Sequence, residues 1–434
     1  GRGTLSFIRK REPFTLKDLL LLFFPMAPIA QYVVANQDIL LFKDSIVVIG
    51  FFLVIAFGVV VIIPYLFSPL SRKHLTVSIS LALTFQIYNM AYFVGTLWMI
   101  QKKVQIIFFG AMVLAIFILY GLSKKSLYFF SIVFFVVIFG SSIYSILGTR
   151  EERVESQSDK VSLVSNRVAT RKPDVYLLIY DSYPNEETLE FYGIDNHHMY
   201  DELLAKGFTI YDGTYSVAPI SVESMAHVMD FKRTGWSTNL RKVLAQDANG
   251  LKIFKDAGYT NHSIMTSDYM VRGMSLDPAV HDSYFPDPND TSVNIMSSWI
   301  LISAIAEGEF RFDAAFGNIR EEVFTNEKHK FLSSDSAQPR FLYTHNDQPG
   351  HTSNSGFLAD NEIELWAERR QGANAMMEAD LSIALEHNSD AIIIVAADHG
   401  PYLTKNGADL DVPAYSLSDI TRLDVQDRYG TLLA

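Results

Sequence analysis

Five long apolar runs fill the first third of the chain, near residues 17–35, 45–67, 75–100, 105–122 and 126–147. Each approaches the roughly 20 residues that a helix rising about 1.5 Å per residue needs to cross a bilayer core. The last four carry no charged residue in their interiors. The first is interrupted by Pro25 and Pro28 and begins at Lys17 and Asp18. In hydrocarbon a chain must satisfy its own backbone polar groups, so such runs are expected as five membrane-spanning helices. A cleaved leader does not fit, because the first run is too long and four more follow it.

The loops between the runs set the expected orientation. With the N-terminus inside, the cytoplasmic side holds Arg2, Arg9, Lys10, Arg11, Lys17, Arg72, Lys73, Lys124 and Lys125, and the outer side holds Lys43, Lys102, Lys103, Arg150 and Arg153. The excess of basic residues belongs on the cytoplasmic side. An odd number of crossings then places everything after residue 150 outside the cytoplasm.

Charge divides the chain at the same place. Residues 1–150 contain 13 Lys and Arg against 4 Asp and Glu, and the remainder contains 23 against 44. An acidic domain without a basic stripe does not suit nucleic acid. The absence of cysteine excludes a disulfide scaffold, a thiolate metal site and a cysteine nucleophile. Residues 151–172 are polar with no sustained apolar face and read as a linker.

From residue 173 apolar runs alternate with helical patterns. Strands are expected at 174–183, 207–216, 258–267, 340–347 and 391–400. Helices are expected at 185–206, 221–231, 237–257, 292–307 and 360–388, the last with Ile363, Trp366, Met376, Met377, Leu381 and Leu385 on one face. This alternation predicts an α/β domain with a mostly parallel sheet between helices. In such sheets ligands gather at the carboxyl ends of the strands, which directs attention to Asp181 and to Asp398-His399-Gly400.

A carboxylate and an imidazole at strand ends can converge on one divalent cation, and oxygen and nitrogen ligands suit Zn²⁺, Mn²⁺ or Mg²⁺. Gly400 would permit a tight turn there. Ser221 opens a predicted helix after Ala218-Pro219-Ile220, where backbone N–H groups attract a phosphate or sulfate and a metal could activate the hydroxyl. His345 and His351 lie on the polar stretch YTHNDQPGHTS and could bind a substrate oxyanion or protonate a leaving group. Plainer uses stand beside these: Asp398 capping its turn, Asp181 capping a helix near Asn185, Ser221 with Ser224 as an ordinary helix cap, and both histidines in solvent.

Taken in order, PDVYLLIYDSY, TYSVAPISVESMAHVM, FLYTHNDQPGHT and IIIVAADHGP resemble the motifs of membrane-anchored members of the alkaline phosphatase and sulfatase superfamily, particularly the five-helix phosphoethanolamine transferases and lipoteichoic-acid synthases. The resemblance covers about residues 173–434 together with the expected helix count. It implies a sulfatase-like domain in which Asp181, Asp398 and His399 bind metal, Ser221 is the nucleophile and a further metal ligand, and His351 and His345 bind substrate. It implies one or two divalent ions, zinc foremost, a membrane lipid as donor, and a cell-envelope glycan or lipid as acceptor of a phosphoethanolamine- or phosphoglycerol-type group. In an alternative register Ala218 takes the nucleophile position, which implies an inactive, binding relative.

Four departures stand out. Met225 occupies the place of the Arg that accompanies a formylglycine nucleophile, against sulfatase chemistry. PYLTKNGADLDVP lacks the further His that often follows the DHG motif. The lipid-A-type enzymes carry disulfides in this domain, and here there is no Cys. QDRYGTLLA resembles a mid-domain segment, so closing elements of the fold are expected beyond residue 434. A phosphatase or sulfatase that passes the group to water is the nearest rival.

Overall fold

The computed structural model describes residues 19, 21–35, 42–66, 72–92, 102–123, 129, 133 and 136, then 170–231, 240–272, 274–288, 319–352, 361–405 and 416–434. The described residues fall into two compact units, one up to residue 136 and one from residue 170.

In the first unit the apolar runs form helices α1 (Phe23–Ala35), α2 (Phe42–Phe57), α3 (Arg72–Tyr92) and α4 (Lys102–Leu122). A π turn at Gly58–Ile62 carries α2 on to Leu66. Among the described residues one helical segment, Ser45–Leu66, is long and apolar enough to cross a membrane, and the apolar part of α4 is the shorter Phe109–Leu122. The other four expected spans do not meet that test within the described residues, which cover the first, third and fifth runs only in part. The reason is plain in α3: it begins Arg72-Lys73-His74 and buries Thr76, Ser78, Ser80 and Thr84. Three of these hydroxyls donate to carbonyls one turn back, and Ser80 donates to Leu21 O beside α1. Its apolar run is therefore diluted by a hydroxyl stripe. Of the fifth run only Phe129, Val133 and Val136 are described, all helical. The expected linker, up to residue 169, lies outside the described residues.

The second unit is built on a five-stranded sheet in the order β3-β2-β4-β1-β5. Its strands are β1 (Val175–Tyr180), β2 (Thr260–Met265), β3 (Ser283–Phe285), β4 (Arg340–Asn346) and β5 (Ile392–Ala396), and every pairing is parallel. Side chains alternate across a strand, and the two faces of β1 show it. Tyr176, Leu178 and Tyr180 enter one core with Phe324, Trp366, Met377 and Leu381. Val175, Leu177 and Ile179 enter the other with Val222, Met225, Ala226 and Met229.

Helices cover both faces: α5 (Glu186–Phe191), α6 (His197–Ala205), α7 (Ser221–Asp230), α8 (Asn249–Asp256), α9 (Glu321–Leu332), α10 (Glu362–His387) and α11 (Arg422–Tyr429). The single helix expected at 185–206 is two, parted around Gly193 at φ +68°. The one expected at 237–257 is broken by a π turn at Val243–Asp247. The strand expected at 207–216 does not form: Tyr211 N and Ser216 N donate to Leu433 O and Tyr429 O, so the segment lies along the C-terminal stretch rather than in the sheet. The helix expected at 292–307 lies outside the described residues.

Below the sheet, at the amino ends of the strands, Asp174 fastens β1 to β4. Its Oδ1 accepts from Arg340 N at 2.8 Å, and its Oδ2 accepts from Arg340 Nε at 2.8 Å and Nη2 at 2.7 Å. Tyr176 Oη and Asn388 Nδ2 also donate to this oxygen.

Candidate metal and phosphoryl site

Strand register assembles the site at the opposite end. Ile179 pairs with His345 on β4 and with Ala396 on β5. Two residues further along each chain, Asp181 and Asp398 come level. The alternation that sends Ile179 toward α7 also sends Asp181, His345 and Asp398 to that face. Ser221, the first residue of α7, lies there too. Ile220 takes the cap position and no side chain caps the helix, which leaves the Ser221 hydroxyl without a capping role. It meets His399 Nε2 at 3.0 Å.

The plainer uses of the carboxylates also resolve. Asn185, not Asp181, caps α5, accepting from Thr188 N at 3.2 Å. Asp398 does serve its turn, but with one oxygen: Oδ1 accepts from His399 N at 3.0 Å and Ser182 N at 3.2 Å. Its other oxygen, Oδ2, is buried and accepts no hydrogen bond. That oxygen lies 3.4 Å from His345 Nε2 and 3.6 Å from His399 Nε2, while His399 Nε2 is 3.3 Å from Asp181 Oδ1. Ligands bound at about 2.0–2.2 Å around a tetrahedral ion stand about 3.4 Å apart, so this array of oxygens and nitrogens fits a divalent cation.

Asp181, His345 and Asp398 each bring one ligand atom within 4.8 Å of the others. His345, expected on the substrate side, thus sits within this group. His351 stays beside it: its ring lies 5.9 Å from that of His399, and its Nδ1 donates to Thr352 O at 2.7 Å. Ala218 is buried, while its carbonyl accepts from Ser216 Oγ at 2.8 Å.

The His399 tautomer follows from its neighbours. Nδ1 faces the Gly400 carbonyl at 2.8 Å, and a carbonyl can only accept, so Nδ1 carries the proton and Nε2 presents a lone pair toward Ser221. Gly400 is required for a reason other than the expected turn. It lacks a positive φ, and an added Cβ would collide with Asp427 O. Ser182, which sequence reasoning missed, holds φ +60° and donates its Oγ to Asp181 Oδ1 at 3.0 Å. No sequence pattern marks it, because its role depends on β5 lying beside β1.

Burial opposes charge on both carboxylates, with opposite outcomes. Burial, then the charge of Asp398, pushes Asp181 well above the usual carboxylate range. On Asp398 the neighbouring His399 and His345 imidazoles, with Ser221 and the Ser182 amide close by, outweigh burial and hold it below that range. Burial also lowers His345, which favours the neutral, ligating imidazole.

The sign for Asp181 is definite. Above its raised native value it is ionised both folded and unfolded, and folding bears the full cost of the buried charge. Below the ordinary carboxylate value it is protonated in both states and the cost vanishes. The stability that Asp181→Asn gains over wild type in chelator-treated protein should therefore shrink as pH falls from neutral into the mildly acidic range. Urea unfolding at a series of pH values measures this, and a gap constant with pH would contradict it.

The fold and the site together define a parallel α/β domain whose strand ends and one helix start bring two carboxylates, two imidazoles and a serine around one point. No protein-family model and no curated protein matches the sequence. Among solved structures, the chain is similar to Ps i-CgsB in complex with k-i-k-neocarrahexaose at 16% identity and TM-score 0.38, covering 61% of this chain. It spans 66% of the length of that protein. The C-terminal periplasmic domain of EptC from Escherichia coli, in complex with Zn, is 14% identical at TM-score 0.35, with 61% of this chain and 72% of that one covered. The integral membrane protein lipooligosaccharide phosphoethanolamine transferase A from Neisseria meningitidis is 11% identical at TM-score 0.37, with 96% of this chain and 87% of that one covered.

Proposed function

We propose that this chain is a membrane-anchored, metal-dependent transferase that moves a phospho-substituent from a lipid donor to a cell-envelope glycan or lipid through a covalent serine intermediate. The observation that carries this reading is Ser221 Oγ, at a helix start, 3.0 Å from His399 Nε2 and beside two strand-end carboxylates.

Asp181, Asp398, His399 and Ser221 would hold the ion, with His345 completing the set. A divalent ion in this place lowers the pKa of a hydroxyl and neutralises charge developing on phosphorus. Ser221 Oγ forms the new bond to phosphorus as the bond to the lipid leaving group breaks. An acceptor hydroxyl then takes the group and frees Ser221. The N-terminal amide groups of α7 face the incoming phosphoryl oxygens, and His351 binds them from the side. His399 keeps its proton on Nδ1, which leaves its Nε2 lone pair for the ion.

Five spans in the first unit, with the N-terminus in the cytoplasm, would hold this domain at the outer face of a bacterial inner membrane. Confinement beside the membrane raises the effective concentration of a lipidic donor. The donor class is tested by incubating the zinc-loaded full chain with phosphatidylethanolamine or phosphatidylglycerol vesicles and weighing the peptide that contains Ser221. A phosphoethanolamine or phosphoglycerol adduct on that peptide is expected. Release of the headgroup to water with no adduct would favour a hydrolase.

A further inference from the structure

Tyr402 is buried, 3% exposed, and holds φ +59°, a conformation that a side chain with a Cβ disfavours. The DHG turn places it against the proposed site. Its ring stacks on His399 with centroids 5.0 Å apart and planes 7° from parallel, and lies 5.1 Å from the His351 ring. The Arg428 guanidinium lies 5.4 Å from its centroid. Its hydroxyl donates to Pro219 O, two residues before Ser221.

One side chain therefore touches His399 and the backbone two residues before Ser221. The hydrogen bond from His399 Nδ1 to Gly400 O fixes the direction of the imidazole but leaves the tilt of its plane to packing. The Tyr402 face supplies that restraint, and its hydroxyl ties the Pro219-Ile220 approach to α7.

We propose that Tyr402 is a positioning residue that sets the plane of His399 with its ring and the place of Ser221 with its hydroxyl. The proposal deepens the transferase reading and rests on it for the role of Ser221. The two functions separate by substitution. Tyr402→Leu removes both, whereas Tyr402→Phe keeps the stack and loses the bond to Pro219.

The experiment uses the full chain in detergent and reads two quantities: Zn²⁺ affinity by calorimetry on chelator-treated protein, and kcat and KM with fluorescent phosphatidylethanolamine. Tyr402→Leu should weaken Zn²⁺ binding about 10- to 100-fold, the usual range for a group that orients a metal ligand. Tyr402→Phe should bind Zn²⁺ within about threefold of wild type and lower kcat about tenfold at unchanged KM, as misplacement of a nucleophile does. Wild-type Zn²⁺ affinity in Tyr402→Leu, or full kcat in Tyr402→Phe, overturns the proposal. If Tyr402→Leu does not fold, the kcat of Tyr402→Phe decides alone. A wild-type chain that transfers nothing, with Zn²⁺ affinity lost in the Leu variant and recovered in the Phe variant, would sink the transfer reading and keep the role for the ring.

Discussion

Ser221→Ala should abolish group transfer, lowering kcat by at least about 10³-fold, while the protein stays folded. Loss of a nucleophile removes the covalent route entirely, and such losses reach about 10⁶-fold where several groups act as a unit. The fold should not suffer, because Ser221 occupies the first helical position and caps nothing, and Ile220 already provides the extended residue before the helix. Alanine is a good helix former there. The measurement is transfer of a labelled headgroup, with a thermal melt on the same sample to show that the fold survives. Undiminished transfer would remove Ser221 from the mechanism, whereas a wild-type chain that transfers nothing would favour the register that puts Ala218 at the nucleophile position.

The second large effect is on stability. Asp398 Oδ2 is buried and accepts no hydrogen bond, so a divalent ion seated there would give this oxygen a direct partner. Ligand that binds only the folded state stabilises it by about 4 kcal/mol at 1,000 times its dissociation constant. For a domain of this size that corresponds to a rise in Tm of roughly 8–16 °C. Adding Zn²⁺ to chelator-treated protein should produce a shift of that order in wild type. Asp398→Asn should show little shift, because the neutral amide keeps its place in the turn but ligates poorly. A wild-type protein whose Tm ignores both Zn²⁺ and Mn²⁺ would defeat the metal assignment.

The elements that could be read directly were those whose pattern is local. β1 and β5 are continuous apolar runs, and the two carboxylates just past their ends follow from the habit of parallel sheets to place ligands there. α9 escaped notice because it buries only Phe324, Lys328 and Leu332 within a charged sequence. Lys328 belongs there only by pairing with Asp380 of α10 at 2.6 Å, which no local pattern announces. β3 is three residues long and exists through its pairing with β2. The segment 207–216 alternates like a strand, but its backbone bonds were claimed by the C-terminal stretch. The same boundary runs through the site. Asp181, Asp398, His399 and Ser221 mark strand ends and a helix start, whereas the company that His345 keeps and the contacts of Ser182 and Tyr402 depend on which strand lies beside which.

The Asp174–Arg340 clamp has a consequence for how distant damage would present itself. Asp181, His345 and Asp398 reach the same face because β1, β4 and β5 share one register, and a slip of one residue would turn each of them to the opposite side. Asp174 lies about 20 Å from Asp181 along the strand and touches neither serine nor imidazole. A lesion there would read in an assay as a defect of the cation centre, so proximity to the chemistry is a poor guide to which inherited changes silence this protein.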